Sequence, residues 1–259
     1  MHTTIEASLS QGVLHLVFTT ENGLNTMDDP WLASFDAHLR RATDDTAVRA
    51  VLLSGRGKVF CAGANLSGMS SSALHQGFAG SPLARFTERL TAFPKPLLAA
   101  VHGKAIGGGA TLLLHCDLVA AAVDTQFCFP FTSSLAAVPE LASSFLLPRI
   151  AGARLASELL LLGQVFDAHK ALRAGMVTEL VPAGEELALA RTWAEQLAAM
   201  APVSVQTTKR LLRDAQYDGV SAAIAREGEA LAKVLGSAEA REALAAFTEK
   251  RRPDFSSFH

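Results

Sequence analysis

Two stretches rich in glycine and alanine, Phe60-Cys61-Ala62-Gly63-Ala64-Asn65-Leu66 and Gly103-Lys104-Ala105-Ile106-Gly107-Gly108-Gly109, each directly follow an apolar run. Backbone approaches a ligand most closely where side chains are absent. Consecutive amides at a strand-to-helix junction point their N–H groups at any negative oxygen held there. The pair of stretches therefore reads as an oxyanion hole. Other chemistries lack their residues: no G-x-S-x-G elbow, Walker A loop or H-E-x-x-H helix occurs. The 8 histidines are scattered, and His102 is expected to be a packed or turn-side residue.

Both stretches need a strand behind them and a helix ahead. Val13 to Phe18 reads as a strand, Asn22-Gly23-Leu24-Asn25 as a turn, and Asp29-Pro30 as the start of a helix through Trp31, Phe35 and Leu39. Arg49 to Ser54 and Leu97 to Val101 read as buried strands, Gly107 to Leu114 as a helix and Leu118 to Ala122 as another strand. From Ser143 the pattern predicts helices near 143–151, 154–162, 168–174, 185–199, 203–214, 217–235 and 237–249, with Val177 to Val181 strand-like. A boundary at Ala201-Pro202 divides an α/β core over 1–200 from a helical region over 201–259.

Composition narrows the partner. A chain of 259 residues with 49% hydrophobic and 19% charged content can bury a sizeable core. Net charge is −2 with dispersed basic residues, so neither nucleic acid nor a membrane surface is expected as a partner, and a small molecule is. The 3 cysteines, Cys61, Cys116 and Cys128, form no paired motif, as expected in a reducing compartment. The longest apolar stretch, Ile106 to Val123, is broken by His115 and Asp117, and the first residues lack a signal-peptide pattern; a cytoplasmic location is expected.

The first stretch resembles the F-C/S-A-G-A-D-L segment of the crotonase superfamily, the enoyl-CoA hydratase/isomerase group. Lys95-Pro96-Leu97-Leu98-Ala99-Ala100-Val101-His102-Gly103 resembles its K-P-V-I-A-A-V-N-G, and the Gly107-Gly108-Gly109 triplet follows at the family distance. Gly163 to Ala168 with Ala174 to Val177, and Ala245 to Phe255 at the end, extend the resemblance over essentially the whole chain. It implies an α/β crotonase-like spiral of ββα units with a C-terminal helical trimerisation region, an acyl-CoA thioester partner, and a homotrimer or dimer of trimers. It also implies that the Ala64 and Gly108 amides hold the thioester oxygen, and no metal or redox cofactor is expected. Ala62 and Leu66 would meet adenine, Lys58 and Lys250 the CoA phosphates, and Phe247 the adenosine. Asn65 stands where the family usually has Asp, and Asn22 where some members place another lysine. Asn65, Gly107, Thr111 and Phe131 complete the expected substrate-contacting set.

Within that family the carboxylates decide the reaction. The resemblance places the two hydratase acids at Thr111 and Phe131, neither of which transfers a proton at neutral pH. Between Arg89 and Ser157 the acids are Asp117, Asp124 and Glu140. Asp117 reads as a structural hydrogen-bonding residue and Asp124 as a turn residue. Glu140 lies in a segment, Phe131 to Ser144, that resembles the F-x-x-L-G-L-x-P-E-x-x-S-S of Δ3,Δ2-enoyl-CoA isomerases, where a single glutamate shuttles a proton between C2 and C4. Its bland alternative is a glutamate opening a helix. Phe127, Phe129 and Phe131 are expected to desolvate it. The expectation is thus a Δ3,Δ2-enoyl-CoA isomerase, against a hydratase with unusual acids or a non-catalytic acyl-CoA binder.

Overall fold

The computed structural model describes residues 2–65 and 81–258. Strands β1 (Thr4–Ser10) and β2 (Val13–Thr19) form an antiparallel hairpin closed at Gln11-Gly12, both with positive φ, as a right-twisted two-residue turn requires. Helix α1 (Asp29–Asp44) follows, capped by the Asp28 side chain accepting from the Trp31 N–H, with Pro30 in its first turn. Then come β3 (Ala50–Gly55), α2 (Pro82–Ala92), β4 (Leu97–Val101), β5 (Lys104–Ile106), α3 (Gly108–Thr111) and a 3₁₀ turn over Leu112–His115. β6 (Leu118–Ala122), β7 (Gln126–Cys128) and the short α4 (Phe131–Ser134) lead to α5 (Ser143–Ala151) and α6 (Ala153–Ser157). After β8 (Phe166–Asp167), α7 (Ala168–Arg173) and β9 (Glu179–Val181), the chain is helical: α8 (Glu186–Ala199), α9 (Pro202–Leu235) and α10 (Ala238–Thr248).

Six strands make one sheet in the order β1-β2-β3-β4-β6-β9, parallel from β2 onward, and β5-β7-β8 make a second. The β4 sequence Leu97-Leu98-Ala99-Ala100-Val101 is buried throughout because both faces are covered. On one face Val51, Leu53, Leu97 and Ala99 pack with the aromatic group of Phe18, Trp31, Phe35 and Phe86 from β2, α1 and α2. On the other, Leu52, Leu98 and Ala100 meet Ala190, Ala194 and Ala198 of α8. Alanine at every fourth position lets that helix lie close to the sheet.

Several elements depart from the sequence expectation. β1 alternates weakly and is mostly exposed at the sheet edge, so no buried face marks it. β5, β7 and β8 are too short for a two-residue period to register. The predicted Gly107–Leu114 helix is a four-residue α segment running into the 3₁₀ turn. The helices expected at 203–214 and 217–235 are one, α9, which passes through Gly219. A Cβ there would strike the Phe145 ring edge, so the glycine seats α9 on α5 rather than breaking it. Among the described residues no helix is long and apolar enough to cross a membrane.

Asp117 fastens α9 to the sheet. Its carboxylate accepts from the Leu97 N–H at 2.8 Å and pairs with Lys209 and Arg213, each at 2.7 Å. The structural role read from sequence thus has three partners. Lys209 is buried and also donates to the Lys95 carbonyl at 2.6 Å. Removing the carboxylate strands a buried ammonium. Asp117→Ala should therefore cost about 2–4 kcal/mol and lower the melting temperature by roughly 5–10 °C. An unchanged melting curve would show that the cluster contributes no net stability.

Candidate active site

The two glycine-rich segments are stitched to each other by backbone. Phe60 N–H donates to His102 O at 3.0 Å, Cys61 N–H to Lys104 O at 3.1 Å, and Ile106 N–H to Cys61 O at 3.0 Å. Behind them, buried Asn25 in a left-handed conformation donates its amide to the carbonyls of Arg56 at 2.9 Å and Val59 at 2.8 Å, which pins the first segment to the turn after β2. Met27 pairs with Ala64 as an isolated parallel bridge: Met27 N–H donates to Gly63 O at 2.8 Å and Asn65 N–H to Met27 O at 2.7 Å. In that pattern the Ala64 N–H points away from Met27.

The glycines are needed by this close approach. Gly63 has φ +86°, and a Cβ on it would sit 2.7 Å from Ile106 O. A Cβ on Gly109 would lie 2.7 Å from Cys61 O. One on Gly108 would lie 2.9 Å from Met27 Sδ and 3.1 Å from Glu140 Oε1. Gly108 is the first residue of α3, where the N–H has no preceding helical carbonyl to meet. Glu140 therefore stands beside Gly108, although its own segment lies between β7 and β8 of the second sheet.

Among the described residues no hydrogen bond reaches the Glu140 carboxylate. Burial, and then the charge of Glu227, push its pKa up from the ordinary 4.5 to about 7. Burial, with the Glu140 charge adding, pushes the neighbouring Cys61 thiol to about 12, so it stays protonated. Glu140 does not open a helix, since α5 begins at Ser143, after Leu141 and Ala142 with φ +53° and +56°. Ser143 turns back on it, the N–H and Oγ donating to Glu140 O at 3.0 and 2.6 Å.

The other expected residues divide into groups. Thr111 is fully buried, its hydroxyl 3.3 Å from Gly108 O, and Gly107 accepts from the Ala110 and Thr111 amides. Phe131 is buried and stacks on Phe129, which stacks on Phe166 as Phe127 does. Ala62 donates its N–H to Leu24 O, and Lys58 is exposed. Asn22 is engaged inside its turn, accepting from Leu24 N–H and the Thr20 hydroxyl. His102 bonds to Gly57 O at 3.1 Å. Phe247 and Lys250 are exposed at the end of α10, which packs on α9. Leu66 lies outside the described residues. The sequence reading missed Met27, which has no chemical signature of its own. It also missed Glu227, 85 residues from the segment it contacts.

Comparison with known proteins identifies the family. The family model described as enoyl-CoA hydratase/isomerase matches residues 8–257. The 2,3-dehydroadipyl-CoA hydratase of Escherichia coli K12 is 32% identical over 96% of each chain. The 1,2-epoxyphenylacetyl-CoA isomerase of the same organism is 31% identical, covering 97% of this chain and 98% of that one. A solved enoyl-CoA hydratase/isomerase from Pseudoalteromonas atlantica T6c superposes with a TM-score of 0.90 at 38% identity, over 97% of this chain and 99% of that one. With its two interlocked glycine segments on a crotonase-type α/β core, the chain belongs to the enoyl-CoA hydratase/isomerase family of acyl-CoA-processing enzymes.

Proposed function

We propose that the protein moves the double bond of an enoyl-CoA from Δ3 to Δ2, with Glu140 as the single proton shuttle. The observation that carries this is the carboxylate beside Gly108: it is Glu140, whereas Thr111 and Phe131 occupy the positions expected of hydratase acids. A relative named as a hydratase and one named as an isomerase are about equally similar to the chain, so the choice rests on the acids. Ionised Glu140 removes a proton from C2 of the 3-enoyl thioester. The electron pair moves onto the thioester oxygen, which accepts from the Ala64 and Gly108 N–H groups, and the carboxylic acid returns the proton to C4 as the enolate collapses. One proton leaves and one arrives, so the step needs no metal or redox cofactor. On the same reading Lys58 and Lys250 meet CoA phosphates, Ala62 and Phe247 the adenosine end, and the enzyme works in the cytoplasm as a homotrimer or dimer of trimers. Exposed Val203, Leu211 and Leu212 on α9 support association.

Glu140→Gln keeps size and removes the proton acceptor. Conversion of a 3-enoyl-CoA to the conjugated 2-enoyl-CoA, followed by absorbance, should fall by roughly 10²–10⁴-fold, with thioester affinity within a few fold. Hydration of a 2-enoyl-CoA should be very slow in both forms. Rapid hydration by the wild type would favour the hydratase reading, and tight thioester binding with neither reaction would favour the non-catalytic binder.

The base must be ionised, so kcat/KM should rise with an acid limb centred near pH 7. A carboxyl raised from 4.5 to about 7 on folding binds its proton more tightly in the folded state. The stability this gives is present below pH 4.5 and is lost as pH rises through 7. Wild type and Glu140→Gln should therefore melt alike near pH 5. At pH 8 the variant should be more stable by about 2–3 kcal/mol. Superposable melts at both pH values would contradict a desolvated, uncompensated carboxylate.

Lys250→Ala should raise KM for the CoA ester more at low salt than at high salt, because an exposed ion pair is screened. A KM unchanged at every ionic strength would remove Lys250 from the phosphate site, and a monomer by light scattering would overturn the assembly.

A further inference from the structure

Glu227, on α9, is buried, and the proton shuttle leaves it without a task. One carboxylate oxygen accepts from the Ala142 N–H at 2.7 Å and the other from the Ser144 N–H at 2.8 Å. These amides flank the start of α5, so Glu227 caps that helix from a different part of the chain. On the opposite side buried His115 bonds through Nε2 to Leu141 O at 2.7 Å. Burial lowers the His115 pKa to about 4. The ring is therefore neutral, and its Nε2–H is the donor. Leu141 and Ala142 are both left-handed without being glycine, a conformation that costs roughly 1–2 kcal/mol per residue. Two side chains from separate elements thus clamp a strained turn whose preceding residue is Glu140.

We propose that Glu227 is the positioning residue of this site: by holding the Ala142 and Ser144 amides it fixes the left-handed turn that brings the Glu140 carboxylate against Gly108. This rests on Glu140 being the base. The two carboxylates differ in their hydrogen bonding. Burial raises the Glu227 pKa on balance, and its two N–H donors, with the Arg226 charge in support, oppose that rise. Glu140 has no donor among the described residues, so it is the one that protonates first. The other titratable groups around Glu140 do not compete. Cys61 stays a thiol and His115 stays neutral. The Asp28 carboxylate is turned to His2 and the Trp31 N–H. Arg213 is committed to Asp117 and His115 O, and Arg149 lies over the Phe145 ring.

Glu227→Gln removes the charge and can accept only one of the two N–H groups. In steady-state isomerisation of a 3-enoyl-CoA, kcat should fall about 10–100-fold, with KM within about twofold because the thioester-binding amides are untouched. In parallel, protein labelled with ¹³C at glutamate carboxyls, with the Glu140 resonance assigned through Glu140→Gln, is titrated by NMR. The Glu140 titration, and the acid limb of kcat, should move to lower pH by about half a unit or more when the neighbouring charge is gone. Glu227→Asp, which keeps the charge on a shorter arm, should lower kcat while leaving the titration at its wild-type position. A glutamine variant with wild-type kcat and an unmoved titration overturns the proposal, as does one that merely melts earlier. If the glutamine variant does not fold, the aspartate variant decides: lowered kcat at wild-type KM supports positioning, and unchanged kcat overturns it. A wild-type protein inactive on 3-enoyl-CoA, yet with a Glu140 titration that shifts in Glu227→Gln, would sink the isomerase reading while leaving the coupling of the two carboxylates intact.

Discussion

Everything at the site depends on the three backbone hydrogen bonds that join Phe60 and Cys61 to the segment from His102 to Ile106. They bind the ends of β3 and β4 to each other beyond the sheet, where parallel strands would otherwise diverge. The spacing they set is short enough that Gly63 and Gly109 admit no side chain. Amides can therefore be presented from two loops without either loop folding over the other. The buried thiol of Cys61, held as a small neutral side chain, fills the remaining space between them. A larger residue there would push the two N–H sources apart, and a charged one would add a second ion beside Glu140.

The carboxylates divide into those that hold the fold and those that are held by it. Asp117 and Asp28 have several donors each and serve packing. Glu140 has burial and a like-charged neighbour. A group in that situation stores free energy as electrostatic strain, and strain released on protonation is what a base near neutrality needs. The fold tolerates it because the surrounding core is large and the turn behind it is clamped from two sides.

How far the sequence could be read follows from how local each signal is. The two glycine segments were legible because glycine and alanine at fixed offsets after apolar runs leave a pattern within about seven residues. β3, β4 and β6 were legible for the same reason. The placement of Glu140 required the resemblance, since nothing local to Pro139-Glu140-Leu141 tells a base from a helix-opening glutamate. The left-handed pair Leu141–Ala142 contradicts the usual residue preference and so could not be anticipated. It exists because Glu227 and His115, distant in sequence, satisfy the backbone groups it turns inward. Gly219 misled in the opposite direction: a residue that ordinarily weakens a helix is there to admit the Phe145 ring.

The clamp on the Leu141–Ala142 turn also fixes an order of events during synthesis. Both glycine segments, every strand of the main sheet and Glu140 itself leave the ribosome before Glu227, which follows Ala142 by 85 residues. Until α9 emerges and docks, the turn behind Glu140 lacks the acceptor for two of its amides and has no reason to hold a left-handed shape. On the proposed reading, the nascent enzyme thus carries Glu140 for much of its translation without being able to aim it, and competence arrives with the last helices rather than with the core.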